Sequence, residues 1–303
     1  MKKSLLALAA LSACCGVAMA QSSVTLAGKA NIGFLKAEGS KAQLENAPDG
    51  SSSRVIIRGV EDLGGGLSAK FHFEHGMAPD TGAADGQAGA AGGGFWQRQA
   101  WAALAGGFGE VRLGRQYTLG FMGDIGNMPS TAVDPQLRAG LGFAGRGARN
   151  SDQIQYWSPR MGGLQLRGSY QLEGDNANRE SELAVNYGIG GFTLNAIAAK
   201  VKNTSGTTWH VNGAYNAGVV TIAAGYTDRA GKNTGKGPFV RVVAPIGPVS
   251  LFAGMARNQD TKVRTHDAGA YYSLSKRTSL YFVYGDGNKA VTRLMGLGID
   301  HNF

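Results

Sequence analysis

Apolar and polar residues alternate along most of this chain, as they do in β-strands whose two faces meet different surroundings. The segment 24–32 places Thr, Lys and Asn opposite Val, Leu and Ile, and the segments 67–74 and 164–172 repeat the scheme. The alternation predicts sixteen strands, which begin near residues 24, 53, 66, 95, 109, 152, 163, 180, 191, 207, 218, 237, 248, 264, 278 and 292.

The connections between these strands alternate in length. Short turns are predicted at residues 62–66, 105–109, 159–163, 188–191, 216–218, 245–248 and 274–277. Long polar or Gly/Ala segments are predicted at residues 36–52, 77–94, 116–151, 173–179, 227–236 and 285–290. Short turns at one end and long loops at the other indicate an all-β fold, a 16-stranded antiparallel transmembrane β-barrel. A soluble β-sandwich also has alternating strands, but this chain is too long for one ordinary sandwich and has no dividing linker.

The segment 295–303 ends on an aromatic residue inside a predicted strand. Its Met, Leu, Ile, His and Phe residues share one face, and its Gly, Asp and Asn residues share the other. Such a strand needs a partner on each side, and closure of a barrel supplies both because it removes the sheet edges. We therefore expect the strand that ends at Phe303 to pair with the strand that begins at Val24.

The composition fits many short strands. The chain holds 48 glycines and 8 prolines, and the part after residue 20 has no run near the roughly 18 apolar residues that a spanning helix needs. Aromatic residues at strand ends are expected on the outward face, where they suit interfacial girdles: Tyr170, Tyr187, Tyr215, Tyr226, Tyr284 and Phe303.

The first twenty residues have the features of a secretory signal peptide. Lys2 and Lys3 precede an apolar run, and Ala-Met-Ala at 18–20 forms a small-x-small cleavage site before Gln21. Cleavage between Ala20 and Gln21 would leave a barrel of residues 21–303. A lipoprotein box with a lipid on Cys14 is the alternative. Because both cysteines lie within this leader, no disulfide or thiolate metal site is expected in the barrel.

The positive charge narrows the choice of partners. Loss of Lys2 and Lys3 would lower the formal net charge from +9 to +7. A secreted chain without an aromatic and basic binding module is not expected to bind nucleic acid. A basic pore lining, or contact with lipopolysaccharide, fits this charge better.

Residues 116–151 are the longest segment without a predicted strand. A loop of this length in a compact fold is usually functional, and the lumen of a wide barrel is the space available to it. We expect it to fold inward and to form a constriction, with Asp124 and Asp134 among the residues that line the pore.

Basic side chains are predicted to form one wall of this pore. The expected constriction residues are Arg54, Arg58, Arg98, Arg112 and Arg115, although Arg115 lies where its strand meets the long loop and its direction stays open. Lys29, Lys70 and Arg167 are expected to face the lumen as well, because an arginine that faces lipid at mid-depth costs about 2–4 kcal/mol. Such residues favour anions in a narrow pore. Alternatively they only hold the folded loop in place, and the two roles are compatible.

Other motifs give weaker signals. The G-x-G-x-x-G run at 140–145 follows no buried strand and opens no helix, so dinucleotide binding is not expected. His72 and Glu74 share a strand face that His75 does not, so the three ligands of a metal site do not converge. No catalytic residue, cofactor or metal is predicted. An outer-membrane barrel enzyme and a solute-selective channel stay open as alternatives to a general pore.

Several runs carry a resemblance to a known family. They are Ser-Val-Thr-Leu at 23–26, Glu-Asp-Leu-Gly-Gly-Gly-Leu-Ser-Ala at 61–69, Arg-Gln-Ala-Trp at 98–101, Leu-Gly-Arg-Gln at 113–116, Tyr-Trp-Ser-Pro at 156–159 and Tyr-Ser-Leu-Ser-Lys-Arg-Thr at 272–278. With these runs the chain resembles the general-diffusion porins of the neisserial and burkholderial type, from its leader to Phe303. Ala27, Asn31 and Ile56 depart from the usual residues, and the long loop lacks the usual Pro-Glu-Phe-like run.

This resemblance implies a trimer of sixteen-stranded barrels in the Gram-negative outer membrane. It implies passive diffusion of small hydrophilic solutes past an inward-folded third loop. Arg54, Arg58, Arg98, Arg112 and Arg115 correspond to the basic strands of such porins. The C-terminal strand, with Phe303, corresponds to the signal that the barrel-assembly machinery reads.

Overall fold

The computed structural model describes residues 22–85, 94–126, 148–172, 179–229, 235–288 and 292–303. The predicted leader, the run at 140–145 and Asp134 lie outside these residues. The strands are β1 (Ser23–Ala37), β2 (Gln43–Asn46), β3 (Arg54–Gly64), β4 (Leu67–Ala78), β5 (Ala83–Ala84), β6 (Gln99–Gly106), β7 (Gly109–Tyr117), β8 (Arg149–Trp157), β9 (Leu164–Gln171), β10 (Glu180–Ile189), β11 (Phe192–Val201), β12 (Thr208–Asn216), β13 (Thr221–Asp228), β14 (Lys236–Ile246), β15 (Val249–Arg257), β16 (Arg264–Ser273), β17 (Thr278–Gly287) and β18 (Leu294–Asn302). One helix, α1 (Leu119–Gly126), follows β7.

Sixteen of these strands form a closed antiparallel barrel, and the short strands β2 and β5 belong to long connections. The predicted strands are therefore confirmed. The largest difference in a predicted start is at β6, expected near 95 and beginning at Gln99. The short turns lie at one end of the barrel, the short-turn end, and the longer connections lie at the other, the long-loop end.

Strand β1 closes the barrel because it pairs with the last strand, β18, as well as with β3. Its first half pairs with β3, from Ser23↔Val60 to Lys29↔Arg54. Its second half pairs with β18, from Lys29↔Asn302 to Ala37↔Leu294. Phe303 extends this pairing by exchanging two backbone hydrogen bonds with Gly28. The expected pairing of the last strand with the first is confirmed.

The two faces of the barrel differ as the alternation predicts. Large apolar side chains such as Val24, Leu183 and Leu297 are exposed on the outer face. Polar side chains such as Asn31, Gln155 and Asn212 are buried on the inner face. The polar residues are thus inside and the apolar ones outside, which is the reverse of a soluble protein. Among the described residues, no helix is long and apolar enough to span a membrane.

Two segments pack against the inner face. Helix α1 contacts β9, β10, β11 and β12. Residues 47–53, from the connection between β1 and β3, lie against the inner face of β1 and β16, where Asp49 accepts a hydrogen bond from the Tyr271 hydroxyl at 3.0 Å. The inward fold of this first connection was not predicted.

Candidate functional site: the inner wall of the barrel

Basic side chains lie on the inner faces of neighbouring strands. The register places Arg54 opposite Lys29 and places Arg58 opposite His72. It also places Arg112 opposite Gln155, and Arg167 opposite Trp157. We call the inner face of β3, β4 and β6–β9, with these arginines and Lys70, the basic wall.

Glu74 is the acidic centre of this wall. The residue is 2% exposed. It accepts hydrogen bonds from Arg98 Nε at 2.6 Å and from Gln99 Nε2 at 2.5 Å. The Nη1 atom of Arg54 lies 3.7 Å away, so one carboxylate partly neutralises two arginines. Removal of one partner from such a buried pair leaves the other charge uncompensated.

Arg98 has two further partners besides Glu74. Its Nη1 atom lies 3.2 Å from the Asp85 carboxylate, and its Nη2 atom donates to the Tyr117 hydroxyl at 3.1 Å. Arg149 donates to the same hydroxyl at 2.7 Å. These contacts tie β4, β6, β7 and β8 together near the long-loop end, so Arg98 has a structural role in addition to its charge.

A second carboxylate lies nearer the short-turn end. Glu110 accepts a hydrogen bond from Lys70 Nζ at 2.8 Å and forms an ion pair with Arg112 Nε. Two cations therefore share one anion. Glu74 and Glu110 together show that the basic wall is a mixed wall with an excess of positive charge.

Aromatic rings and arginines form a ladder across five neighbouring strands, β4 and β6–β9. His72 stacks on Trp101, with ring centroids 5.4 Å apart. The Arg112 guanidinium lies between two indoles, 4.5 Å from the Trp101 ring and 3.6 Å from the Trp157 ring. The Arg167 guanidinium also lies over the Trp157 ring, 4.0 Å from the ring centroid. Guanidinium–indole stacking fixes the arginine planes while their N–H edges stay available to the lumen.

Arg58 and Arg167 differ from the other members of the wall. Arg58 is exposed, and Arg167 donates to the Gln165 side chain at 2.8 Å. Among the described residues, neither has a carboxylate partner within ion-pair distance. Each therefore keeps a positive charge that no ion pair among the described residues neutralises.

Lys29 belongs to a buried network with residues 47–53. Its Nζ atom donates to Ser51 Oγ at 3.1 Å and forms an ion pair with Asp300. Asp49 accepts from Asn31 Nδ2 at 2.7 Å and from the Ser51 backbone N–H at 2.9 Å. Burial raises the pKa of Asp49, although the Ser51 N–H and the charge of Lys29 act in the opposite direction. This network holds the first connection inside the barrel.

Helix α1 is fixed by its N-terminus to the inner face of β10. Glu182 on β10 accepts hydrogen bonds from the backbone N–H groups of Leu119 and Gly120, each at 2.8 Å. Thr118 Oγ1 caps the first turn by accepting from the Phe121 N–H at 3.1 Å. A carboxylate at this end also complements the helix dipole.

Helix α1 comes closest to the inner face of β11 and β12 at a glycine, Gly123. A Cβ atom on Gly123 would lie 2.0 Å from Ile197 Cδ1 and 2.7 Å from His210 Nε2, so a larger residue here would have to displace these side chains. The Gly123 carbonyl accepts from Asn212 Nδ2 at 3.1 Å, and Leu119 packs with Ala184 and Ile197. The third long connection therefore enters the barrel and lies on its inner face.

A closed barrel with a charged inner face and an inward helix is the architecture of a pore-forming outer-membrane protein. A family model described as Gram-negative porin matches residues 7–290. The chain belongs to the Gram-negative porin family. The resemblance found in the sequence is thus confirmed, and this porin is an integral protein of the outer membrane.

Individual relatives agree with this assignment. The porin is 31% identical to outer membrane porin protein 32 of Delftia acidovorans, over 93% of this chain and 88% of the relative. It is 27% identical to an outer membrane porin of Bordetella pertussis over the full length of both. A solved anion-selective porin from Comamonas acidovorans is 25% identical, with a TM-score of 0.73, over 93% of this chain and all of that one.

A solved structure with lower sequence identity supports the barrel fold and nothing beyond it. OmpT of Vibrio cholerae, solved in a trimer form, is 16% identical to this porin with a TM-score of 0.73. The match covers 93% of this chain and 99% of the OmpT chain.

Arg115 is the predicted pore residue that the structure separates from the others. It lies opposite Ala100, and Ala100 lies opposite Phe73, so the register places Arg115 on the outer face. The pairing of β7 with β8 shifts at this point, where Ser151 and Asp152 lie against Arg115 alone as in a β-bulge. The guanidinium donates to the Gln97 carbonyl at 2.7 Å and to Ser151 Oγ at 3.0 Å.

The acidic residues predicted in the long loop are only partly described. Asp124 lies in α1, and its side chain is outside the described part of the structure, as is the whole of Asp134. A role of either residue in the constriction therefore stays a prediction.

The predicted faces of His72, Glu74 and His75 are correct. His72 Nε2 lies 3.3 Å from the Glu74 carboxylate on the inner face, while His75 contacts the Phe95 carbonyl on the other side of the strand. Among the described residues, no group of three or more His, Cys, Asp and Glu side chains could hold a metal ion.

The sequence did not lead us to predict an inner-face position for Glu110, Glu182, Trp101 or Trp157. Each of them alternates in phase with a recognised inner-face residue of its strand or of a paired strand, so alternation could have found their faces. Helix α1 was also missed, although Thr118 is a good N-cap residue directly before it.

Proposed function

We propose that this porin is a passive pore for small hydrophilic solutes and ions with a preference for anions. The observation that carries the proposal is the inner-face position of Arg58 and Arg167 without carboxylate partners among the described residues. Positive side chains in a narrow aqueous pore raise the local concentration of anions. The similarity to a solved anion-selective porin supports the same direction.

Two inward segments would form the narrow part of the pore. Helix α1 covers the inner face of β9–β12, and residues 47–53 cover that of β1 and β16. We propose that the loop of residues 116–151 forms the constriction between the basic wall and this helix. Asp124 and Asp134 would then face Arg54, Arg58, Arg98 and Arg112 and create a transverse field.

A planar-bilayer measurement tests the anion preference. In a salt gradient, the sign of the reversal potential of the purified wild-type porin should indicate anion selectivity. The double variant Arg58→Gln/Arg167→Gln should move the reversal potential towards zero. The matched control is Lys36→Gln/Lys200→Gln, which removes two exposed cations from the outer face and should leave the potential unchanged. A cation-selective wild type, or an equal shift in both variants, contradicts the proposal.

A solute-selective channel is the second candidate, and the aromatic–arginine ladder favours it. Its indole faces and guanidinium edges suit planar anions such as aromatic carboxylates. Benzoate should then block the current at lower concentration than acetate does. The variant Trp101→Leu/Trp157→Leu should remove this difference, and equal block by both anions in the wild type rejects the specific channel.

We further propose that the porin acts as a channel and not as an enzyme. The relatives found here are porins, which supports a channel. Release of fragments from an outer-membrane lipid or peptide by the pure porin, lost on mutation of one Ser, His or Asp, would contradict this.

The proposed assembly follows the family. We expect a signal peptide to be cleaved between Ala20 and Gln21, and the barrel-assembly machinery to recognise the strand that ends at Phe303. The mature chain would form a homotrimer surrounded by outer-membrane lipid and lipopolysaccharide, with small anions and hydrophilic solutes as its cargo. Trimer mass in mild detergent, and trimer yield after deletion of Phe303, test these points.

A further inference from the structure

One histidine lies among the fixed cations of the basic wall. His72 on β4 is directly opposite Arg58 on β3 and Trp101 on β6. Its side chain is 15% exposed, so protons reach it from the lumen. Arginine and lysine keep their charge near neutral pH, whereas histidine is the side chain that changes its charge between about pH 5 and 8. His72 is therefore a variable charge in a wall of constant ones.

The other four histidines of the chain have different positions. His210 is on the inner face, but it is 2% exposed and lies against Gly123 of α1. His75 contacts the Phe95 carbonyl on the outer side of β4. His266 and His301 are exposed and alternate with buried inner-face residues, which places both on the outer face. His72 is thus the histidine whose charge acts on the basic wall.

The Nε2 atom of His72 has a hydrogen-bond partner in either charge state. It lies 3.3 Å from the Glu74 Oε2 atom and 3.3 Å from the Gln99 Nε2 atom. A neutral imidazole with its proton on Nδ1 accepts from the Gln99 amide at this atom. The imidazolium donates from the same atom to the Glu74 carboxylate. The ring can therefore change its charge without a rearrangement of the wall.

Two neighbours stabilise the charged form of His72. Its ring stacks on Trp101 with the centroids 5.4 Å apart and the planes 5° from parallel, and an indole face attracts a cation. Glu74 supplies the negative charge, but Arg98 and Arg54 already lie 2.6 Å and 3.7 Å from the same carboxylate. Glu74 therefore cannot fully neutralise a third cation.

The remaining charged neighbours on the inner faces of β3 and β4 are cations. Arg58 lies opposite His72, and like charges in this position repel. Lys70 is two residues away on the same face of β4, where Glu110 accepts its hydrogen bond at 2.8 Å. Protonation of His72 thus adds a positive charge beside Arg58, and no described carboxylate pairs with Arg58.

We propose that proton binding by His72 increases the anion preference of the pore. This inference rests on the proposed anion-preferring function and adds its regulation by pH. A unit charge about 10 Å from a permeating anion in water changes the local anion concentration about twofold. We therefore expect the ratio of anion to cation permeability to rise about twofold when His72 becomes charged.

Reversal potentials at different pH values test the proposal. The full-length folded porin is measured in planar bilayers in a gradient of dilute salt, where screening is weak, between pH 8 and pH 5.5. The wild-type permeability ratio should rise about twofold towards acid. His72→Gln keeps a polar side chain that binds no proton in this range, so its ratio should stay constant. His266→Gln is the matched control on the outer face and should keep the wild-type profile.

Two further measurements separate the charge of His72 from a structural role. His72→Lys carries a permanent charge, so its ratio should be high at both pH values. An imidazolium quenches the fluorescence of a stacked indole. Tryptophan fluorescence of the wild type should therefore fall on acidification by more than that of His72→Gln, and this comparison applies even if the lysine variant folds poorly.

Two results would overturn the proposal: a wild-type permeability ratio that stays constant between pH 8 and pH 5.5, or equal pH profiles of the wild type and His72→Gln. The proposed function fails separately, because a cation-selective wild type contradicts it at any pH. If that same wild type still shifts towards anions on acidification, and His72→Gln does not, the role of His72 is supported although the overall anion preference is rejected.

Discussion

The aromatic ring of Phe303 covers the backbone of Gly28, and the two residues exchange hydrogen bonds. The Gly28 N–H donates to the Phe303 carbonyl at 2.9 Å, and the Phe303 N–H donates to the Gly28 carbonyl at 3.1 Å. A Cβ atom on Gly28 would lie 2.3 Å from Phe303 Cζ. The seam that closes the barrel therefore depends on the absence of a side chain at residue 28.

The first prediction concerns this seam. Gly28→Ala should lower the free energy of unfolding by about 1–3 kcal/mol, because the added methyl group would also lie 2.5 Å from the Arg54 carbonyl oxygen. Gly168→Ala is the matched control, since its Cβ would be 3.6 Å from the nearest atom, Leu183 Cδ2. Urea unfolding in lipid vesicles measures both variants. Equal stability of the two variants would show that the ring moves aside at little cost.

The second prediction concerns Glu74. Glu74→Gln should reduce the free energy of unfolding by about 3–5 kcal/mol, because Arg98 and Arg54 lose their shared buried anion. The same change should shift the bilayer reversal potential further towards anion selectivity, because it adds net positive charge to the inner wall. Glu61→Gln alters an exposed carboxylate near the short-turn end and should affect neither property appreciably. An unchanged reversal potential in Glu74→Gln would mean that Glu74 does not act on the permeation path, and a shift towards cations would contradict the prediction.

The third prediction concerns the attachment of α1. Glu182→Gln should speed hydrogen exchange at the Leu119 and Gly120 amides and should increase the fluctuations of the open-channel current. Glutamine keeps one acceptor oxygen and removes the charge at the helix N-terminus, a loss of about 0.5–2 kcal/mol. Ser169→Ala removes only the hydroxyl that donates to Glu182 at 2.7 Å, so its effect should be smaller. Unchanged exchange in Glu182→Gln would show that apolar packing alone holds the helix.

The fourth prediction concerns the first connection. Asp49→Ala removes three hydrogen bonds, two to the wall residues Asn31 and Tyr271 and one to Ser51 within the segment. It should raise the single-channel conductance, because the hold of residues 47–53 on the inner face is weakened. Tyr271→Phe removes one of the two bonds to the wall and should have a smaller effect in the same direction. Asp260→Ala changes an exposed loop carboxylate and serves as the control. If Asp49→Ala leaves conductance as it is, residues 47–53 do not limit the pore.

The alternation of apolar and polar residues was sufficient to predict the strands and the direction of their side chains. The inner-face positions of Arg54, Arg58, Arg112 and Arg167 follow from the two-residue period of a strand, which is a local property. Arg115 follows Arg112 by three residues in the regular part of β7, so the same period places it on the outer face. The bulge lies in the partner strand β8, at Ser151 and Asp152, and no short-range signal marks it.

The charge balance of the wall could not be read from the sequence. Arg98 meets Glu74 across 24 residues of sequence, and Lys29 meets Asp300 across 271. Such pairs depend on the register of each hairpin and on the closure of β1 with β18. The sequence therefore indicates many lumenal cations, while the structure shows which of them have carboxylate partners.

The sequence by itself determined the sixteen strands, the barrel, the polar lumen and the family, because each rests on local alternation or on short runs of residues. Only the tertiary structure decided that Glu182 anchors α1 and that residues 47–53 turn inward. These relationships join residues that are distant in sequence, and the barrel brings them together only after its register and closure are fixed.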